Sequence, residues 1–253
     1  GYPSSIPQIV WAIASTLGPS LPEELRDATA WAFAEAALPG LAGVWQPAEP
    51  ITALAAVQRL LAGCGAVLAG DRAGRLRLFD PFATAGAVQF DIAAARVVAE
   101  PEPLGLPDLL APAPNRVEVE WGRNNAPIGD LAASAPADLR GRLADFVAPV
   151  GSYTSRLIDA RVARPRTLRL PGPYALQADA QARAEQLGAF LESGARAVRV
   201  VTDDYLGAIN LGDQGRVTYP GAGLEAGMIG TVIGLRERLG ARRLEITLLS
   251  AEG

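Results

Sequence analysis

"LGDQGRVTYPGAGLEAGMIGTVIG", residues 211–234, runs on into "LRERLGARRLEITLLSAEG" at 235–253. Hydrophobic residues alternate along this stretch and glycines interrupt it, the pattern of short strands joined by tight turns. Three strands are expected, at 214–219, about 227–238 and 242–250. In the last, Leu244, Ile246 and Leu248 alternate with Arg243, Glu245 and Thr247. Val217 and Tyr219 fall on one face, and Ile229 and Ile233 continue that face after the turn. The glycines of "GAGLEAG" at 221–227 lie between two strands. They are therefore expected to supply positive-φ turn positions, not a phosphate cradle, which needs a strand–turn–helix setting.

Upstream, "TLRLPGPYALQADAQARAEQLGAFLESGARAVRVVTDD" reads as a short strand, a Pro-Gly-Pro turn, a helix from about Pro173 to Ser193, and a strand carrying Val198 and Val200. Leu176, Ala180, Leu187 and Leu191 form the helix's apolar stripe, and Gly194 stops it. "NRVEVEWG" sets Val117, Val119 and Trp121 against Glu118 and Glu120, as a half-buried strand requires. Short links between these strands favour antiparallel pairing. Residues 123–165 read as an excursion, with a short helix in "SAPADLRGRLADFV" and a strand in "TSRLIDARVA". Residues 101–114 form a proline-rich connector with a restricted backbone.

Before the connector the period is helical. Ser5 and Gln8 have capping-box spacing, as do Ser20 and Glu23, and Gly18 and Pro39-Gly40 end the two helices. A third helix in "TALAAVQRLLAGCG" places Leu54, Val57, Leu60 and Leu61 on one face. "AVLAGDRAGRLRLFDP" then reads as a hairpin turning at Gly70–Gly74, with Leu76 and Leu78 facing one way and Arg75 and Arg77 the other. Val88, Phe90 and Ile92 form a strand face. The fold class is thus α+β. A helical α/β domain at 1–100 is followed, after the connector, by a small antiparallel β-barrel with one long helix at 115–253. Closure into a barrel would hide the strand edges.

Composition narrows the chemistry. The chain has 253 residues, 49% hydrophobic and 20% charged, with a net charge of −4, so it is globular and carries no polybasic face of the kind that marks a nucleic-acid partner. It has no histidine, and all 23 cations are arginines. A His base, a His metal ligand, a Schiff-base lysine and a P-loop lysine are therefore excluded within the chain. The single cysteine, Cys64, makes neither an internal disulfide nor a Cys-based zinc site, and it reads as a small buried side chain near a helix end. Gly63, Gly65 and Gly70 lack dinucleotide-fingerprint spacing and follow a helix instead of a strand. No segment is long and apolar enough to span a membrane, and the first residues carry no charged n-region. The start at Gly1-Tyr2, without Met, suggests a piece of something larger.

The remaining candidates are thin. Asp203 and Asp204 are adjacent at a strand end, so they point to opposite faces and make a poor acid/base couple. Glu118 and Glu120 share a face that alternation already explains as solvent-facing. Ser152, Tyr153 and Thr154 have no base nearby, and Asn124-Asn125 suit a loop. Arginine clusters at 161–169 and 236–243 could hold phosphate or carboxylate groups, or make subunit salt bridges. No catalytic, cofactor or metal residue is assigned, and a non-enzymatic role in assembly is expected. A β-barrel binding a glycan or protein at a host surface is the alternative, through Trp121, Tyr153, Tyr174, Tyr205 or Tyr219. A hydrolase working through Asp203 or Asp204 is the least supported reading.

The order of pieces resembles the hub region of bacteriophage tail-tip proteins, including the hubs of gene transfer agents and contractile tails. The resemblance rests on Leu170-Pro171, the alanine-rich helix Ala175–Leu191, Leu211-Gly212-Asp213, Val217–Pro220 and the closing strands Met228–Leu249. The helix-then-hairpin at 51–81 and the strand "NRVEVEW" extend it. It implies a tail-tube-like β-barrel in a structural hub, homotrimeric in the full-length protein, that joins the tail tube to a distal fibre or spike. Copies of itself, tail-tube proteins and other tail-tip proteins are the implied partners. The implied location is the virion tail tip, after synthesis in the bacterial cytoplasm. A second tube-like barrel and the fibre or spike region of such hubs are absent from these 253 residues.

Overall fold

The computed structural model describes residues 3–43, 50–83, 87–107, 110–111, 113–123, 134, 136–137, 140–141, 149–161, 166–203 and 207–251. Helix α1 (Ile6–Ala12) is capped by Ser5, whose hydroxyl accepts from the Gln8 N–H, and a wider turn at Ile13–Leu17 carries it to Gly18. Helix α2 (Ala28–Ala37) starts later than the Ser20–Glu23 spacing predicts. Only a single 3-10 turn forms at Glu23–Leu25, and Asp27 caps α2 by accepting from the Ala30 N–H. An ionised carboxylate at that position also complements the helix dipole, so the later cap wins. Helix α3 (Ala53–Cys64) runs from the Thr52 cap to Gly65, whose φ of 72° lets the chain turn out.

The hairpin forms as read, with β1 (Val67–Gly70) antiparallel to β2 (Leu76–Phe79). The Asp71 carboxylate ties its turn by accepting from the N–H groups of Ala73 and Arg75 at 2.8 and 2.7 Å. Strands β3 (Phe90–Ile92) and β4 (Glu102–Leu104) follow, then β5 (Arg116–Trp121) and β6 (Val150–Thr154). The segment read as a strand in "TSRLIDARVA" is instead helix α4 (Arg156–Arg161), because Ser155 caps it by accepting from the Ile158 N–H at 3.1 Å. The helix expected in "SAPADLRGRLADFV" lies largely outside the described residues.

Strand β7 (Thr167–Tyr174) continues through Pro171-Gly172-Pro173, where a turn is expected from the sequence, with a register shift against β5 between Leu170 and Tyr174. An edge strand has no ladder partner on its outer side, so prolines are tolerated there. A Cβ on Gly172 would sit 2.1 Å from the Glu120 carbonyl oxygen, and one on Gly63 would sit 2.4 Å from the Pro171 carbonyl oxygen. The prolyl stretch is thus sandwiched at backbone contact between β5 and α3. Helix α5 (Gln177–Glu192) begins after it. Strands β8 (Arg196–Thr202), β9 (Gln214–Val217), β10 (Met228–Arg238) and β11 (Arg243–Ser250) complete the chain.

The architecture is mixed α and β. Six strands pair in the order β3-β9-β10-β11-β8-β4, three in the order β6-β5-β7, and β1 pairs with β2. The antiparallel expectation fails twice, since β3 runs parallel to β9 and β5 parallel to β7. Both exceptions join strands far apart in sequence, where no short link dictates direction. Val198, Val200, Val217, Met228, Leu244 and Ile246 point with Ile92 into one cluster, so one face of the six-stranded sheet encloses it. On β10 the inward residues are Met228 and Val232, not Ile229 and Ile233. Ile229 lies opposite Arg216, and a bulge after Val232 turns Ile233 towards a second, larger core. That core joins Val10, Trp31, Leu61 and Leu78 to Val119, Leu170, Ala184 and Leu187, from both sides of the proline-rich stretch.

Candidate interaction surfaces

Charged groups inside the fold are held by one another. Arg183, on the buried stripe of α5, is 3% exposed. Its Nη2 donates to Asp80 Oδ1 at 2.9 Å, and its Nε donates to the Cys64 carbonyl at 2.9 Å. Gln186 accepts from Nη1 at 2.7 Å. Burial opposes the guanidinium's charge, but the Asp80 carboxylate outweighs it and keeps Arg183 protonated. Arg77 forms a second junction. Its guanidinium reaches Asp27 Oδ2 at 3.1 Å and Asp213 Oδ1 at 2.7 Å, joining the α2 cap, β2 and the loop before β9. Arg77 is therefore buried, where alternation in the hairpin predicts a solvent-facing side chain. Cys64 is fully buried, and burial pushes its thiol up to about 11, so it is an inert core residue as read from the sequence.

Above the Arg183–Asp80 pair lies a groove of about 460 Å³ between α2, β2 and α5, with Phe33, Ala37 and Pro39 on its apolar wall. Phe33 is half exposed there. The groove was not foreseen, although Arg183 standing in line with Ala180, Ala184 and Leu187 is a legible sign of a charge aimed into the protein.

The sequence candidates disperse. Asp203 lies 4.0 Å from Arg96, and Asp204 is outside the described residues. Glu118 pairs with Arg116 at 3.0 Å. Glu120 is buried, not solvent-facing, and pairs with Arg169 at 3.0 Å and Arg123 at 3.6 Å. Ser152 exchanges two 3.0 Å hydrogen bonds with Gln181 of α5. Tyr153 and Ser155 both donate to the Glu192 carboxylate. Asn124-Asn125 and Tyr205 lie outside the described residues, as do Arg164 and the side chain of Arg161 in the 161–169 arginine cluster. Tyr174 is buried, and Trp121, Tyr153 and Tyr219 are half-buried. Among the described residues, no three His, Cys, Asp or Glu side chains come together as a metal site, and no helix is long and apolar enough to cross a membrane.

Three kinds of surface remain open. The six-stranded sheet ends in β3 on one side and β4 on the other. Leu17 and Leu54 are exposed where the end of the first helix meets the start of α3. The tip of the β10–β11 hairpin, residues 236–243, is exposed throughout and holds the second arginine cluster.

No family model and no curated protein matches the sequence. Solved structures do. A chain in the virion of a native gene transfer agent particle superposes with a TM-score of 0.61 at 17% identity, over 97% of this chain. A tail protein from Neisseria meningitidis MC58 matches over 83% of this chain, with a TM-score of 0.50 at 11% identity. The fold is one shared with virion and tail proteins. The chain spans 47% and 58% of the lengths of those two structures, so each continues into regions with no counterpart here.

Proposed function

We propose that this chain is a structural, non-enzymatic component of a phage-type tail tip. In this reading it forms part of the hub that joins the tail tube to the distal fibre or spike. The observation that carries the proposal is the superposition of nearly the whole chain on a gene transfer agent virion protein. The sequence resemblance to tail-tip hubs, carried by Leu170-Pro171 and Leu211-Gly212-Asp213, supports the finer part of this reading. The buried charges support the same reading, because among the described residues Arg77, Asp80, Glu120, Arg183 and Asp213 are each committed to an ion pair with another part of the fold. The six-stranded sheet corresponds in this proposal to the tube-like barrel, and three copies of the full-length protein build the hub at the virion tail tip. The parts at 1–100, 101–114 and 115–253 are proposed as successive units along the chain that share one core. The alternative, a glycan- or protein-binding barrel, loses its stacking platform, since Tyr174 is buried and the other described aromatic candidates are half-buried.

Electron microscopy of the full-length parent protein tests the proposal. A ring with threefold symmetry is the expected result. A persistent monomer that cleaves a cell-wall polymer would overturn it.

A further inference from the structure

The tip of the β10–β11 hairpin is built against its own electrostatics. In the last residue pair of the ladder, Arg238 lies directly opposite Arg243. Like charges in that position destabilise a hairpin. Strand alternation puts Arg236 on the same side, and only Glu245 relieves it, 3.4 Å from Arg238. Glu245 is also shared with Arg199 at 3.5 Å. Among the described residues Arg236, Arg242 and Arg243 make no ion pair. The turn that joins the strands is unusual too. Arg242 takes a left-handed backbone with φ of 50°, and Leu239 stands at the apex, 72% exposed. Glu237 ties the base of the tip to Arg72 in the β1–β2 turn, but an apolar apex beside three arginines without ion pairs costs folding stability.

We infer that this tip is a docking element whose partner is an acidic, partly apolar surface on a second copy of the chain. The charge distribution points there. Residues 236–243 hold four arginines and one glutamate, a charge of +3, which leaves −7 on the rest of a chain whose total is −4. The N-terminal corner offers the matching chemistry, with the exposed leucines Leu17 and Leu54 and the exposed turn of Glu24 and Glu23, the latter also paired with Arg26 at 3.1 Å. Glu24 makes no ion pair among the described residues. A basic tip on one side and an acidic corner elsewhere make a head-to-tail contact, the kind that closes into a ring when the rotation allows it. Eight tip residues bury far less than the ~800 Å² per partner of a stable interface, so the contact is weak and salt-sensitive in isolation. The inference stands on the arm's charge and geometry alone, and holds whether or not the parent is a tail-tip hub.

Sedimentation of the chain at high concentration tests it. Self-association is expected at about 0.01 M salt, where charges act over about 30 Å, and is expected to vanish near 1 M, where they act over about 3 Å. The double variant Arg242→Glu/Arg243→Glu should stay monomeric, with its melting temperature unchanged or raised, because Arg238 then faces a glutamate. A corner variant, Glu24→Arg/Leu54→Arg, should also be monomeric alone. A mixture of the two should form dimers, since each retains the half that the other lacks. A wild type that is monomeric at every salt concentration overturns the inference, as does an arm variant that associates like wild type. So does a wild type that binds a duplex DNA fragment through the arm while remaining a monomer.

Discussion

Asp80 and Arg183 join three elements at one point: the end of β2, the middle of α5 and the C-terminus of α3, through the Cys64 carbonyl. Removing one partner leaves the other charge buried without compensation. Asp80→Ala should therefore lower the unfolding free energy by about 3–5 kcal/mol in urea titration, whereas Asp80→Leu with Arg183→Met should recover most of it. A double variant as unstable as the single one would show that the pair does more than neutralise itself. This junction was only partly legible in the sequence. Arg183 sits in the apolar register of α5, but its partner is 103 residues away, and no local pattern connects the two. Arg77 misled for the same reason. Alternation places it on the outer side of the hairpin, and that side is covered by α2 and the Asp213 loop once the chain has folded.

Elements were easiest to read where their punctuation is local. The β1–β2 turn is fixed by Asp71, and α3 by Thr52 and Gly65, all within a few residues of what they control. Pro171-Gly172-Pro173 was misread because its conformation is set by α3 and β5 pressing from either side, not by its neighbours in sequence. The link from α5 to β6 and α4 gives a pH signature at this scale. Hydrogen bonds from the Ser155 hydroxyl, and then from Tyr153, hold the Glu192 carboxyl below its usual 4.5. Unfolding releases those bonds, so as pH falls the unfolded chain takes up the proton first. The stability they supply is complete above about pH 4.5 and is lost as pH drops through the lowered native value. Glu192→Gln should flatten the dependence of the urea midpoint on pH in that acid window and leave its neutral-pH slope unchanged. An identical acid profile in wild type and variant would remove Glu192 from the account.

At the scale of the molecule, the separation of helices from strands was visible as a change of period, while their shared core was not. Val57 and Leu61 before the connector pack in one cluster with Val119, Leu170 and Leu187 after it. Residues 115–253 alone would also lack β3 and β4, the two outer strands of the six-stranded sheet. That fragment should unfold without a cooperative transition by circular dichroism, and adding residues 1–114 in trans should restore one. A cooperative fragment would show that the small core beneath the sheet suffices by itself.

The place of β3 and β4 also bears on how the chain reaches its native state. Both outer strands are synthesised before the four strands between them, which all lie beyond residue 195. Gln89 at the head of β3 finds its partner, Gln214, 125 residues later. Phe90 and Ile92 therefore wait for their ladder partners until β9 has left the ribosome. Such long-range closure is slow and leaves apolar edges open to other chains. A nascent chain that stops short of β11 cannot join the β4–β8 pair to β3, β9 and β10. For this topology, the six-stranded sheet becomes continuous only once β11 is in place between β10 and β8.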